Sequence, residues 1–226
     1  MLTVAIIPAY NESARIVAAV RDARSFVDAV VVVDDCSADD TGERAREAGA
    51  TVVRHVINRG QGAALQTGTE YALRVLEADV LVHFDADGQM MGSEIPLMIA
   101  PIVAGEADIV FGSRFLGKRA NMPMTRLMMN RLAKWFTLVI SGISLTDTHN
   151  GFRALSRHAA EQIVITLDRM AHASQIQDLV KVKRLRYTER PVTITYSNET
   201  LAKSPSSLRA FGIVKDILKD KFFTHV

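Results

Sequence analysis

The chain has 226 residues, 48% hydrophobic, 23% charged and 6% aromatic, which excludes disorder as the main state and fits one globular domain with a sizeable core. Lys and Arg number 27 against 25 Asp and Glu, a formal net charge of +2, so no global field draws the chain to nucleic acid and any basic surface must be local. Cys36 is the single cysteine, which excludes an intrachain disulfide framework and a multi-cysteine zinc site and agrees with a reducing compartment.

The apolar stretch Met1 to Tyr10 has no basic flank and runs at once into Asn11-Glu12, so it reads as a buried strand rather than a secretory signal. β-Branched runs predict strands at Thr3–Ile7, Ala29–Asp34, Thr51–Arg54, Val80–Asp85 and Asp108–Phe111. Amphipathic stretches between them predict helices near Ser13–Phe26, Asp39–Ala48, Gly60–Leu76 and Glu94–Ala104. This alternation predicts an α/β fold, a largely parallel Rossmann-like sheet flanked by helices. Further on come a helix at Thr125–Gly142, a polar turn at Thr146–Arg153, helices near Arg157–Val164 and Ala173–Arg184, a strand at Tyr187–Tyr196 and a last helix from Ser206 to Lys221. The most membrane-like segment, Trp135 to Thr146, has 12 uncharged residues, whereas a spanning helix needs about 20.

Ligands bind outside the carboxyl ends of strands in such a sheet, and the polar clusters fall there. Asp85-Ala86-Asp87-Gly88-Gln89 ends a hydrophobic strand. If the backbone stays extended, Asp85, Asp87 and Gln89 share one side and form an oxygen-rich site for Mg²⁺ or Mn²⁺; a solvated acidic turn is the plainer reading. Asp34 and Asp35 stand at another strand tip, placed to accept hydrogen bonds from a ribose or base, while Ser37 or Asp39 caps the next helix. Asn58-Arg59-Gly60-Gln61-Gly62 resembles a dinucleotide fingerprint, but Leu65 stands where the third small residue belongs, so a Rossmann oxidoreductase is disfavoured. Arg59 and the amides at Gly60 still suit a phosphate.

Pro8-Ala9-Tyr10-Asn11-Glu12, Asp34–Thr41, Asn58–Ala72, Asp85–Gln89, Gly112-Ser113-Arg114-Phe115 and Asp147–Arg153 occur in the order and spacing of family 2 glycosyltransferases. The chain most resembles the branch of dolichyl-phosphate mannose synthases and polyprenyl-phosphate glycosyltransferases, over nearly its whole length. The resemblance implies a GT-A fold in a single glycosyltransferase domain, residues 1–111 forming a nucleotide-sugar-binding half and 112–226 an acceptor-binding half. It implies inverting transfer from a nucleotide-diphosphate sugar. Pro8, Tyr10 and Glu12 would line the nucleoside pocket, Asp34 would meet the base or ribose, and Asp85, Asp87 and Gln89 would hold the metal.

The 38 residues from Ile109 to Thr146 contain no Asp or Glu but six basic side chains. On the predicted helix from Thr125, Arg126, Arg131 and Lys134 lie opposite an apolar stripe, which suits an anionic membrane surface or a lipid phosphate; a core helix with a solvated basic face is the alternative. Polyprenyl phosphate as acceptor would need cations, with Ser113, Arg114, Arg126 and Arg131 as candidates, but no general base, because a phosphomonoester with a second pKa of about 6 is largely ionised at neutral pH. Asp147 would orient sugar hydroxyls or act as a base. In the helix around Gln175 and Gln177 relatives commonly carry an acidic residue; here Asp178 is the nearest carboxylate. Two rival readings follow: transfer to a hydroxyl, with Asp147 or Asp178 as base, and a non-catalytic sugar-nucleotide-binding subunit. Lys203, in Leu201–Ser207, would contact the diphosphate. Spanning helices that end some relatives are not in this sequence, so the expected location is cytoplasmic, peripheral on the membrane or docked to a membrane partner.

Overall fold

The computed structural model describes residues 1–116, 143–148, 150–167 and 171–194, all within the compact unit Met1–Ile194. The expected helices at Thr125–Gly142 and Ser206–Lys221, with Arg126, Arg131, Lys134 and Lys203, lie outside the described residues.

In chain order the elements are β1 (Thr3–Ala9), α1 (Ile16–Arg24), β2 (Ala29–Asp34), α2 (Thr41–Glu47), β3 (Thr51–Arg54), α3 (Gln61–Arg74), β4 (Val80–His83), a 3₁₀ turn (Gly92–Glu94), α4 (Ile95–Val103), β5 (Ile109–Ser113), β6 (Arg153–Ser156), α5 (Arg157–Gln162), α6 (Ala171–Val182) and β7 (Tyr187–Pro191). The strands form one seven-stranded sheet in the order β3-β2-β1-β4-β6-β5-β7. β3, β2, β1 and β4 run parallel, β6 runs antiparallel to both neighbours, and β7 pairs parallel with β5. The largely parallel α/β sheet expected from the sequence is therefore present, with one inserted antiparallel strand, β6, that the sequence reading does not predict.

Alternation along β1 divides the core. Ala5, Ile7 and Ala9 pack with Ile16, Val20, Ile95 and Met98 on one face, while Val4 and Ile6 pack with Leu65, Ala72, Ile176 and Val180 on the other. Helices α1 and α4 thus cover one side and α3 and α6 the other, the arrangement that a parallel sheet buried on both faces requires. After β1 the chain steps outward to β2 and β3, and α3 then carries it back to β4 on the far side of β1. The strand order reverses between β1 and β4, and at such a switch point the carboxyl ends of neighbouring strands leave an open crevice.

Candidate active site

A cavity of about 330 Å³ occupies that crevice. Its walls come from the tip of β1 (Pro8, Ala9, Tyr10 and Glu12), from Asp35 after β2, from the first turns of α3 (Gln61 and Ala64) and from Asp85, Ala86 and Asp87 after β4. Of the residues chosen from sequence, Pro8, Tyr10, Glu12, Asp35, Asp85 and Asp87 meet there. The loops that carry them are stitched together: the Asn11 amide donates to Ser37 Oγ at 3.0 Å, the Glu12 amide to Thr41 Oγ1 at 2.9 Å and the Ser13 amide to Asp39 Oδ2 at 3.2 Å. Ser37 and Asp39, the alternative helix caps read from sequence, thus tie the β2 loop to the β1 loop, and Asp39 Oδ1 also accepts the amide of Thr41, the first residue of α2, at 3.1 Å.

Asp34, Arg59, Gly60 and Gln89 do not line this cavity. Asp34 is fully buried. Its Oδ1 accepts the Ser37 amide at 2.9 Å, and Arg54 Nη1 stands 3.4 Å from Oδ2 without completing a hydrogen bond to it. The amides of Arg59 and Gly60 donate to Asp35 at 2.8 and 2.7 Å, so these two N–H groups, expected to face a phosphate, are already spent on a carboxylate.

The acidic segment after β4 does not stay extended. The strand ends at His83 and the chain turns through Ala86–Gly88, with Gly88 at φ 72 and the Gln89 amide donating to Asp87 Oδ1 at 3.0 Å. This turn, rather than strand alternation, brings the carboxylates together. Burial pushes the Asp85 carboxyl up to about 6, the repulsion of Asp87 adds to it, and Arg153 and a 3.1 Å hydrogen bond from Gln61 Nε2 oppose it. Asp87 is also raised, chiefly by burial. Two mutually repelling, part-buried carboxylates with oxygen donors are a chemically fitting place for a hard divalent cation. Among the described residues no three His, Cys, Asp or Glu side chains converge, so phosphate oxygens of a substrate would complete such a shell.

The sign of the Asp85 shift gives an expected result. A carboxyl raised in the fold stabilises the folded state while protonated; that contribution is complete below the ordinary value of 3.8 and is lost as pH rises through about 6. The upward shift survives the attraction of Arg153, so a neutral side chain is the better tenant. Asp85→Asn should therefore raise the stability of metal-free protein at about pH 7.5 by on the order of 2 kcal/mol, with the gain fading towards about pH 4. Urea unfolding in chelator at both pH values checks it, and equal stability of mutant and wild type at the higher pH would refute it.

Beside the cavity lies a second network. Asp147, its side chain 2% exposed, receives Arg114 Nε at 2.6 Å, Arg114 Nη2 at 2.8 Å and the Arg114 amide at 3.1 Å. Glu189 on β7 holds the same loop by accepting the Thr146 amide and hydroxyl, each at 2.7 Å, and Ser113 Oγ bonds Thr146 Oγ1 at 2.5 Å. Gln177 Nε2 donates to the Thr148 carbonyl at 2.7 Å, so it braces this loop at a position where an acid was expected. Gln175 accepts the amides of Thr166 and Leu167. Gly151 packs onto Asp85, since a Cβ there would lie 2.5 Å from Asp85 Oδ2.

Arg153 links the two networks. It pairs in register with His83 of β4 and Phe111 of β5 and is 2% exposed, with Nε and Nη1 finding no hydrogen-bond partner among the described residues. Burial brings it down to about 10 against the pull of Asp85 and Asp147, so it remains a cation at neutral pH between the two carboxylates. His83 is driven down to about 3 by burial, then by Arg153 and His172, and stays neutral. Sequence reading missed Gln61, His55, Arg153 and Glu189 as parts of these networks; only Gln61 and Arg153 stood inside quoted motifs.

The profile of glycosyl transferase family 2 matches residues 4–164. The chain belongs to that family. It is 34% identical to polyprenol monophosphomannose synthase of Mycolicibacterium smegmatis, covering 91% of this chain and 81% of that protein. It is 29% identical to UDP-N-acetylglucosamine–dolichyl-phosphate N-acetylglucosaminyltransferase of Methanococcus voltae, covering 94% and 93%. The fold matches glucosyl-3-phosphoglycerate synthase from Mycobacterium tuberculosis, solved with Mn²⁺, UDP and glucosyl-3-phosphoglycerate, at a TM-score of 0.66 and 21% identity over 93% of this chain and 75% of that one. The protein is a GT-A glycosyltransferase resembling the polyprenyl-phosphate branch.

Proposed function

We propose that this glycosyltransferase moves one sugar, with inversion, from a nucleotide-diphosphate sugar to a polyprenyl phosphate at the cytoplasmic face of a membrane. The observation that carries the donor half is the meeting of Asp85 and Asp87 in the cavity at the β1/β4 switch point. Pro8, Tyr10, Glu12 and Asp35 would hold the nucleoside there, and residues 1–111 would form the donor half. Asp85 and Asp87 would hold Mg²⁺ or Mn²⁺, whereas Gln89, expected from sequence as a third ligand, does not line the cavity; when bound, the cation supplies Lewis-acid stabilisation of the departing diphosphate. A phosphate oxygen of the acceptor forms its bond to the anomeric carbon as the bond to the diphosphate breaks, and the electron pair leaves with the nucleotide.

Residues 112–226 would receive the acceptor. Asp147 is engaged on both oxygens by Arg114 and Asn150, so taking a proton would cost that ion pair. A positioning role for Asp147, holding Arg114 towards an anionic acceptor, agrees better with the geometry, and an ionised phosphomonoester needs no base. The relatives named for polyprenol and dolichyl phosphate support the same acceptor class. Among the described residues no helix is long and apolar enough to cross a membrane; peripheral association, through the basic segment or a membrane partner, is proposed because the acceptor assigned is a lipid phosphate. Arg131, in the basic segment, is the further cation assigned to the acceptor.

Mass spectrometry of products from a panel of UDP- and GDP-sugars with undecaprenyl and dolichyl phosphates tests this reading. A glycosylated lipid phosphate is the expected product. Transfer to saccharide hydroxyls alone would replace the acceptor assignment, and donor binding without consumption would leave a sugar-nucleotide-binding subunit. Arg131→Ala should raise the acceptor KM or lower turnover without changing donor affinity; an unchanged acceptor dependence would remove Arg131 from the site.

A further inference from the structure

Asp35 lines the donor cavity yet is 3% exposed. Its carboxylate is held from three sides: Oδ1 by the Arg59 amide at 2.8 Å and by His55 Nδ1 at 2.7 Å, Oδ2 by the Gly60 amide at 2.7 Å. His55, just past β3 and 8% exposed, places its other ring nitrogen 2.9 Å from Thr67 Oγ1 on α3. An ionised carboxylate only accepts, so Nδ1 carries the proton and donates, and in the neutral ring Nε2 accepts from the Thr67 hydroxyl. The imidazole therefore bridges the tip of β2 and the helix that forms one wall of the cavity.

A carboxylate has about four acceptor directions. Among the described residues the protein takes three of those of Asp35, which leaves one on Oδ2. We infer that His55 is a positioning residue for the donor nucleotide: by pinning Oδ1 it fixes the carboxylate plane so that Oδ2 presents its open lone pair to an N–H or O–H of the nucleoside. This rests on the donor-site reading above. His55 touches no ligand itself, and its influence passes through Asp35.

Calorimetric titration with UDP and GDP, alongside donor kinetics, tests the inference. His55→Ala is expected to raise the Kd of whichever diphosphate the wild type binds, and the donor KM, by about tenfold, the size of one lost hydrogen bond of alignment, and to lower kcat by a smaller factor. His55→Asn, whose amide N–H can replace Nδ1, should recover most of the affinity. In an Asp35→Asn background the His55→Ala effect should largely disappear, because the two residues act as one unit. A purely structural histidine would lower Tm without this recovery or coupling. Unchanged affinity in folded His55→Ala, or an undiminished effect in the Asp35→Asn background, would overturn the inference. Should His55→Ala not fold, Thr67→Val is expected to weaken nucleotide binding by roughly threefold, and an unchanged Kd there would also overturn it. If the wild type binds neither diphosphate, the donor-site reading falls and this inference with it; wild-type binding with no response to His55 defeats the inference alone.

Discussion

Asp87→Asn is expected to lower turnover roughly a thousandfold, equivalent to about 4 kcal/mol of lost transition-state stabilisation, while leaving the fold intact. The substitution keeps size and the oxygen that accepts the Gln89 amide, so the turn that shapes the acidic pair survives. It removes a charge that burial already disfavours, so folding loses nothing by it. What disappears is half of the carboxylate pair that would grip a divalent cation on the diphosphate. Steady-state rates with saturating donor and added Mn²⁺, together with thermal unfolding, check both statements. Wild-type turnover by this variant in chelator-treated buffer would remove the metal site from the mechanism.

Arg114→Ala should destabilise the protein by about 3 kcal/mol, the scale for stripping one partner from a buried ion pair. Arg114 is the more exposed member, its side chain 30% exposed against 2% for Asp147. Losing its side chain leaves a buried carboxylate with only the residue-114 amide at 3.1 Å, Asn150 Nδ2 at 3.4 Å and the longer-range attraction of Arg153 among the described residues. Asp147→Asn should cost less, about 1 kcal/mol, because the guanidinium can turn towards water. In a cycle the double replacement should cost less than the sum. Urea unfolding of the set measures this, and a loss in Arg114→Ala no larger than in Asp147→Asn would show that the pair does not hold the loop. Both variants should also weaken acceptor use, since the pair stands in the part of the chain proposed to receive the acceptor.

Much of this was legible in one dimension. β1, β2, β3 and β4 are β-branched runs of four to seven residues separated by amphipathic helices, and that periodicity is a local property written in every window of the chain. Strand tips followed by Pro8–Glu12, Asp35 and Asp85–Asp87 placed most of the cavity wall in advance. β6 was not legible. Arg153-Ala154-Leu155-Ser156 carries no β-branched residue and begins with a charge, so its propensity argues for the turn that precedes it. It becomes a strand because β4 and β5 offer unpaired edges on either side, an arrangement no local window contains.

The acidic turn shows the same division. Side-chain types at Asp85 and Asp87 identified the chemistry, but the extended backbone assumed for them gives way to a turn at Gly88, with φ 72. His55, Arg153, Glu189 and Gln177 entered these networks through partners 20, 68, 43 and 29 residues away, such as Asp35, Asp85, Thr146 and Thr148. Composition and spacing determined an α/β fold with carboxylates at its strand tips, because hydrophobic period and residue chemistry are carried by neighbours in the chain; the glycosyltransferase reading came from the resemblance of its motifs to that family. Tertiary structure alone decided which carboxylate faces the cavity, which is consumed by a backbone amide and which is locked to an arginine, because the direction of a buried lone pair is set by the donors that folding brings to it.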